Sequence, residues 1–132
     1  MSLPHNLVVA FRLALVAALA VVSYLATTRL NYPVVQELND KVSHVFAFYV
    51  LALLLDFSFP KGRFGASQVL ALMGYGLLIE TVQYFLPYRT FSLYDWAADG
   101  AGLAIYWFSL PALRHVPVLR RRWHLDTADG GQ

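Results

Sequence analysis

Four apolar stretches, each about as long as a membrane-crossing helix, limit what this chain can fold into. A helix needs about 20 mostly apolar residues to cross a hydrocarbon core about 30 Å thick. The stretches cover about 7–26, 42–59, 66–85 and 96–113. Because backbone polar groups inside a bilayer must be satisfied within their own segment, these lengths predict helices. The sequence therefore predicts an all-α membrane protein, a bundle of four transmembrane helices formed by residues 1–113.

The composition agrees with a bilayer as the solvent. The chain is 58% hydrophobic and 14% charged, whereas soluble domains carry about 25% charged residues. It contains no cysteine, which excludes disulfide frameworks and thiolate metal sites.

The first apolar stretch has an alternative interpretation as a cleaved signal peptide. Its residues Ala18–Ala20 resemble a cleavage site. However, the segment before it offers only the amino terminus and His5 as positive groups, and the apolar run exceeds the usual signal-peptide length. We favour a helix that is retained in the mature protein.

Positive charge is unevenly distributed between the two sides that four spans would create. Both termini and the loop between the second and third spans would share one side. That side holds seven of the ten basic residues: Arg12, Lys61, Arg63, Arg114, Arg120, Arg121 and Arg122. The positive-inside rule therefore predicts cytoplasmic termini in a multi-pass membrane protein. Residues 114–132 form a basic, then polar, tail that we expect to be disordered in the cytoplasm.

Most of the polar residues that are hard to explain lie at one predicted depth, near the outer ends of the spans. They are Asp40, Lys41 and His44 at the start of the second helix, Glu80 and Gln83 near the end of the third, Arg89, Ser92 and Asp95 in the following loop, and Asp99 in the fourth helix. Side chains three or four residues apart share a helix face. Since a charge facing lipid costs about 2.5–3.5 kcal/mol on insertion scales, these faces should meet. The sequence predicts that the nine residues form an outward-facing polar pocket for a ligand.

Individual members of this set also have structural interpretations. Asp40 and Asp95 could be N-caps of the second and fourth helices. Lys41 and Arg89 could be anchors among the aromatic residues at the membrane surface. Glu80 could be an ion-pair partner of either one. These alternatives remain open at this point.

Four glycines occupy positions at which membrane helices could cross. Gly74 and Gly76 lie in the third span, and Gly100 and Gly102 lie in the fourth. Small residues let helix backbones approach each other closely.

Two segments resemble the VanZ-like family, whose founding member is associated with low-level resistance to teicoplanin. They are DKVSHVFAFYVLALLL and GYGLLIETVQYFLPYRTFSLYDWAADGAG. The family pattern reads D-K-x-x-H, then G-x-x-x-E-x-x-Q-x-F-x-P-x-R, then S-x-x-D-x-x-x-N-x-x-G. This chain has Asp99 in place of the asparagine. Asp99 must therefore be protonated to donate a hydrogen bond, or must accept one from Lys41, Arg89 or His44. The resemblance implies a small four-span bacterial inner-membrane protein, with a link to glycopeptide tolerance.

Recognition of an amphiphile at the outer leaflet is the function that the sequence favours. The partners would be membrane lipids and an amphiphilic envelope ligand, such as a lipid-linked cell-wall precursor or a lipid-tailed glycopeptide. Arg89 and Lys41 would contact its phosphate or carboxylate groups. We expect no cofactor, and we assign no metal site.

The alternative is an intramembrane enzyme that modifies a lipid headgroup. Its catalytic candidates are His44, Glu80 and Asp95, with His44 as general acid or base and Asp95 activating water or binding a metal. The chain carries no familiar catalytic motif, so the sequence leaves enzymatic activity open.

Two further classes are disfavoured. Transport needs more helices than one chain supplies, and so would require an oligomer. Nucleic-acid binding is not expected, because the basic cluster is confined to the short tail.

Overall fold

The computed structural model describes residues 3–28, 36–117 and 119, and it describes side chains from Lys41 onward in the second of these ranges. These residues form four helices and no strand: α1, His5–Thr27; α2, Gln36–Ser58; α3, Ala66–Phe85; and α4, Leu93–Leu113. The predicted all-α fold with four helices is confirmed. The side chain of Asp40 and the predicted disordered tail beyond residue 119 lie outside the described residues.

Two helices begin earlier than their apolar stretches. α2 begins at Gln36 rather than near Val42, because polar residues such as Gln, Glu and Lys are good helix formers. α4 begins at Leu93 rather than near Trp96. Hydropathy marks the apolar part of a helix and does not mark its polar first turns.

The start of α4 corrects one interpretation of Asp95. Ser92 is the N-cap, with extended backbone angles, and its Oγ accepts a hydrogen bond from the Asp95 amide at 3.3 Å. Asp95 is therefore a first-turn residue, where a negative charge favours the helix dipole. The proposal that Asp95 caps the helix is wrong, since serine three residues earlier takes that position.

α2 lies at the centre of the bundle, packed mainly on α4 and α1. At Gly102, an added Cβ would collide with the Val45 carbonyl oxygen and would lie 3.1 Å from the Phe48 Cβ. The predicted close crossing is thus confirmed at Gly102. It is wrong at Gly74, which has nothing within 4 Å of an added Cβ.

Two helical segments, His5–Thr27 and Lys41–Ser58, are long and apolar enough to cross a membrane. Only 6% of the apolar window of α1 is buried inside the protein, so most of its apolar side chains face outward. Such a surface suits contact with lipid. A membrane location is therefore indicated. The complete four-span topology, the side on which the termini lie and the retention of α1 stay predictions.

Polar contacts tie the helices together at the end of the bundle where α2 terminates. The Tyr106 hydroxyl donates to Asp56 Oδ2 at 2.6 Å, and both residues are buried. Arg12 Nε donates to the Ser58 carbonyl at 3.0 Å. α1 is thereby joined to α2, and α2 to α4, far along the bundle from most of the predicted site residues.

Candidate functional site

Three helices bring ionisable side chains together at the other end of the bundle. His44 comes from the first half of α2, Glu80 from the last two turns of α3, and Asp95 and Asp99 from the first two turns of α4. These four residues are called the His44 cluster below. Glu80 is fully buried, Asp99 is 1% exposed and Asp95 is 8% exposed. Burial of three carboxyl groups is costly unless each has partners.

The central contact of the cluster joins His44 to Asp99. His44 Nδ1 lies 2.6 Å from Asp99 Oδ1. A hydrogen bond at one ring nitrogen fixes the orientation of the imidazole and the role of the other nitrogen. His44 Nε2 lies on the side of Asp95, 4.0 Å from its Oδ2. Of the partners that the sequence left open for Asp99, the structure places His44 beside it.

Asp95 lies between the imidazole and a lysine. Lys41 Nζ lies 3.6 Å from Asp95 Oδ1, and the Lys41 side chain is 41% exposed. An ion pair this exposed is weak, because water screens it. Lys41 therefore lies at the solvent-facing edge of the cluster and pairs with Asp95, not with Glu80 as one interpretation proposed.

Glu80 is the most deeply buried carboxylate of the set. Its Oε2 accepts a hydrogen bond from the Ser92 amide at 3.0 Å. Its Oε1 is buried and has no hydrogen-bond partner among the described residues. A buried polar atom without a partner costs about 1–3 kcal/mol, which is a reason to look for a ligand at this atom.

Gly76 gives Asp99 the space that it occupies. A Cβ atom on Gly76 would lie 2.5 Å from Asp99 Oδ2 and 3.1 Å from the Phe48 ring. We predicted Gly76 only as a crossing point and did not predict this contact with the cluster. Its spacing of four residues from Glu80, on the same helix face, was the available signal.

Two of the predicted ligand-binding residues have another role in the structure. Gln83 Nε2 donates to the Ala26 carbonyl at 2.8 Å. An Arg89 guanidinium nitrogen donates to the carbonyls of Leu25 and Thr28 at 3.0 and 3.1 Å. The last carbonyls of a helix have no partner within it, so these side chains satisfy the end of α1.

A tyrosine that was not among the predicted site residues takes part in the same interaction. The Tyr88 hydroxyl donates to the Thr27 carbonyl at 2.6 Å. No spacing rule would have found this bond, because it depends on how the α3–α4 loop meets α1.

The nine predicted site residues thus fall into separate groups. Six lie in the His44 cluster or in contact with it: Lys41, His44, Glu80, Ser92, Asp95 and Asp99. Gln83 and Arg89 hold the end of α1, and the side chain of Asp40 lies outside the described residues. Whether any of them binds a ligand stays a prediction.

The cluster has the electrostatics of a cation site or of an acid–base site. Three carboxyl groups lie near one imidazole, and one of them, Asp95, also pairs with a partly exposed ammonium group. One potential ligand atom from each of His44, Glu80 and Asp95 lies within 4.8 Å of the others. Imidazole and carboxylate are common ligands of divalent metals, and both groups also transfer protons.

The fold and this cluster define an all-α protein with apolar outer surfaces and a buried histidine–carboxylate site at one end of its bundle. The model of the VanZ/LLP1 family matches residues 5–114. The chain belongs to the VanZ/LLP1 family, as its motifs indicated.

A similar protein occurs in the fission yeast Schizosaccharomyces pombe, where it carries the description "Uncharacterized protein C11E3.10". It is 39% identical over 98 residues, which is 68% of this chain and 60% of the yeast protein. The chain therefore spans about 60% of the length of that relative. No solved structure matches the chain. Because this relative is fungal, it does not support the predicted bacterial inner membrane, which stays a prediction, as does a link to teicoplanin.

Proposed function

We propose that the chain is a membrane enzyme that hydrolyses a bond in the headgroup of a lipid or lipid-linked envelope compound at the His44 cluster. The observation that carries this proposal is the 2.6 Å contact between His44 Nδ1 and Asp99 Oδ1 inside a group of buried carboxylates. A histidine held by a buried carboxylate at one nitrogen can use its other nitrogen for proton transfer.

The chemistry follows from the two faces of the imidazole. Asp99 orients the ring through Nδ1, and Nε2 takes a proton from a water molecule. The oxygen of that water attacks the headgroup, and the same proton passes to the leaving oxygen. Asp95, with its Oδ2 4.0 Å from Nε2, stabilises the positive charge that the ring carries between these two steps.

A lipid-like substrate is supported by the side chains around this end of the bundle. Aromatic residues near the end of α3 and the start of α4 are exposed, including Tyr84 at 67%, Phe85 at 76% and Tyr94 at 76%. Exposed aromatic rings are typical of the membrane–water interface. A headgroup at that level would reach the cluster while its alkyl chains remained beside the apolar helices. The positive-inside rule would place this end at the outer leaflet.

Recognition without turnover is the second candidate, and Lys41 favours it. Its ammonium group is 41% exposed at the edge of the cluster, where it could meet a phosphate or carboxylate of a lipid-linked precursor or lipoglycopeptide. Arg89 contributes less to this candidate than the sequence suggested, because its guanidinium already donates to two carbonyls of α1.

A lipid conversion assay tests the proposal. The purified protein is reconstituted in vesicles made from an envelope lipid extract, and the lipids are compared by mass spectrometry before and after incubation. His44→Gln removes the reactive nitrogen, whereas His115→Gln is the matched control, since His115 is exposed beyond the other end of α4. We expect a headgroup product with the wild type and the control but not with His44→Gln. Identical lipid profiles for all three proteins would contradict the proposal, and a lipid retained only by proteins with His44 would favour recognition.

A further inference from the structure

We propose that His44, Glu80 and Asp95 bind one divalent transition-metal ion, of the Zn²⁺ or Mn²⁺ class. This inference rests on the proposed function for its location, because the ion would lie where the headgroup reacts. Since His44 Nε2 cannot bind an ion and accept a proton at the same time, metal binding and the proposed proton transfer would exclude each other. The sequence raised metal binding at Asp95 only within the enzymatic alternative and assigned no metal site.

The donor atoms are close enough to converge on one ion. One atom from each residue lies within 4.8 Å of the other two. Bonds of about 2.0–2.2 Å place tetrahedral ligands about 3.4 Å apart. Closing the remaining difference needs displacements of about 1 Å, which side-chain torsions supply without a change in the helices.

Glu80 supplies an independent indication of a ligand. Its side chain is fully buried, and Oε1 has no hydrogen-bond partner among the described residues. Its other oxygen is held by the Ser92 amide at 3.0 Å. The carboxylate is therefore fixed through one oxygen, with the second available to a cation.

His44 has the second interaction that a metal-binding histidine usually has. Histidine ligands generally donate their other ring N–H to a carboxylate or carbonyl, which fixes the tautomer. The 2.6 Å contact of Nδ1 with Asp99 Oδ1 is of this kind. Nε2, which lies 4.0 Å from Asp95 Oδ2, would be the atom that binds the ion.

The ligand set also indicates the class of ion. Two carboxylates and a neutral imidazole balance the charge of a divalent cation. Calcium and magnesium prefer oxygen ligands alone, whereas zinc binds both imidazole and carboxylate, and manganese binds carboxylate well.

Replacement of Lys41 distinguishes a metal site from a general effect of misfolding, because misfolding would weaken metal binding and could not strengthen it. The Lys41 ammonium group lies 3.6 Å from Asp95 Oδ1. It would therefore compete with the metal ion for this carboxylate. Because Lys41 is 41% exposed, its replacement should leave the bundle intact. A Lys41→Gln variant should therefore bind metal more tightly, while a variant that removes a ligand should bind it more weakly.

The experiment measures Zn²⁺ and Mn²⁺ binding to the full-length protein in lipid nanodiscs, after chelator treatment and dialysis. Calorimetry gives the affinity, and elemental analysis gives the number of ions per chain. The variants are Glu80→Gln, which keeps the shape of the side chain, and Lys41→Gln. Asp56→Asn is the control, since Asp56 is also buried but lies beside Tyr106 at the other end of the bundle.

We expect one ion per wild-type chain, at least about tenfold weaker binding in Glu80→Gln and at least a few-fold tighter binding in Lys41→Gln. Asp56→Asn should bind like the wild type. No bound ion, or equal affinities in the wild type and Glu80→Gln, would overturn the inference. Headgroup conversion by a wild type that binds no metal would overturn the inference alone, whereas metal binding without any headgroup conversion by the metal-free protein would contradict the proposed function alone.

Discussion

His44 on α2 and Asp99 on α4 meet through an Nδ1–Oδ1 contact of 2.6 Å, in a part of the bundle where Asp99 is 1% exposed. The contact joins the two helices that pack most extensively on each other. It holds the imidazole between two carboxyl groups of α4, Asp99 on one side and Asp95 on the other. The proposed chemistry depends on this orientation.

Two replacements of Asp99 should distinguish its role in orienting His44 from the effect of its negative charge. Asp99→Asn keeps an oxygen that can accept from His44 Nδ1, and asparagine is the residue of the family pattern at this position. Asp99→Ala removes the acceptor. We expect headgroup conversion to fall about 10- to 100-fold in the alanine variant and clearly less in the asparagine variant, measured by mass spectrometry of the lipids. Equal losses in both would show that the charge, and not the hydrogen bond, matters.

Gly76 should be intolerant of even a methyl group. In Gly76→Ala the new Cβ would approach Asp99 Oδ2 to 2.5 Å and the Phe48 ring to 3.1 Å, so Asp99 must move away from its position beside His44. Headgroup conversion by folded protein should drop well below that of the wild type. The matched control is Gly74→Ala, two residues away in the same helix, where an added Cβ meets nothing within 4 Å. Similar behaviour of the two variants would contradict the assigned position of Asp99.

Arg89 should matter for stability more than for the reaction. Its guanidinium donates to the Leu25 and Thr28 carbonyls at the end of α1. Arg89→Gln should lower the free energy of unfolding in detergent by about 1–2 kcal/mol, with headgroup conversion per folded molecule unchanged. Lys61→Gln, at an exposed position, is the control for loss of a positive charge. A fully stable Arg89→Gln variant without conversion would restore the original interpretation of Arg89 as a ligand-binding residue.

The membrane topology can be tested with single cysteines, because the chain has none of its own. Lys61 and Thr90 are both exposed and lie in the α2–α3 and α3–α4 loops. A membrane-impermeant thiol reagent added to intact cells should label Thr90→Cys and should label Lys61→Cys only after lysis. Labelling of both variants in intact cells would contradict the four-span arrangement. Labelling of Lys61→Cys alone in intact cells would show that the termini lie outside the cell.

Much of the fold was accessible from the sequence for a simple reason. A helix that crosses a bilayer needs an apolar run of a certain length. Four runs of that length predicted four helices. One of these helices, α3, covers the same residues as its apolar stretch. The starts of α2 and α4 were misjudged because polar first turns and a serine cap leave no mark in hydropathy.

The site was predictable where helical spacing decides which side chains meet. His44, Glu80, Asp95 and Asp99 share a depth, and the cost of exposing charge to lipid favours their meeting. Spacing could not assign Gln83 and Arg89, because their partners are carbonyls of α1 more than 50 residues earlier in the chain. The fit of Gly76 against Asp99 likewise depends on how closely α3 approaches α4.

The central claim is that His44 activates water for attack on a headgroup, and isotope transfer tests it most directly. Protein in vesicles of envelope lipids is incubated in water enriched in heavy oxygen, and the products are analysed by mass spectrometry. The account predicts that the wild type transfers one heavy oxygen atom to each product molecule, that His115→Gln does the same, and that His44→Gln forms no labelled product. Absence of labelled product with the wild type, or equal labelling with His44→Gln, would contradict the account.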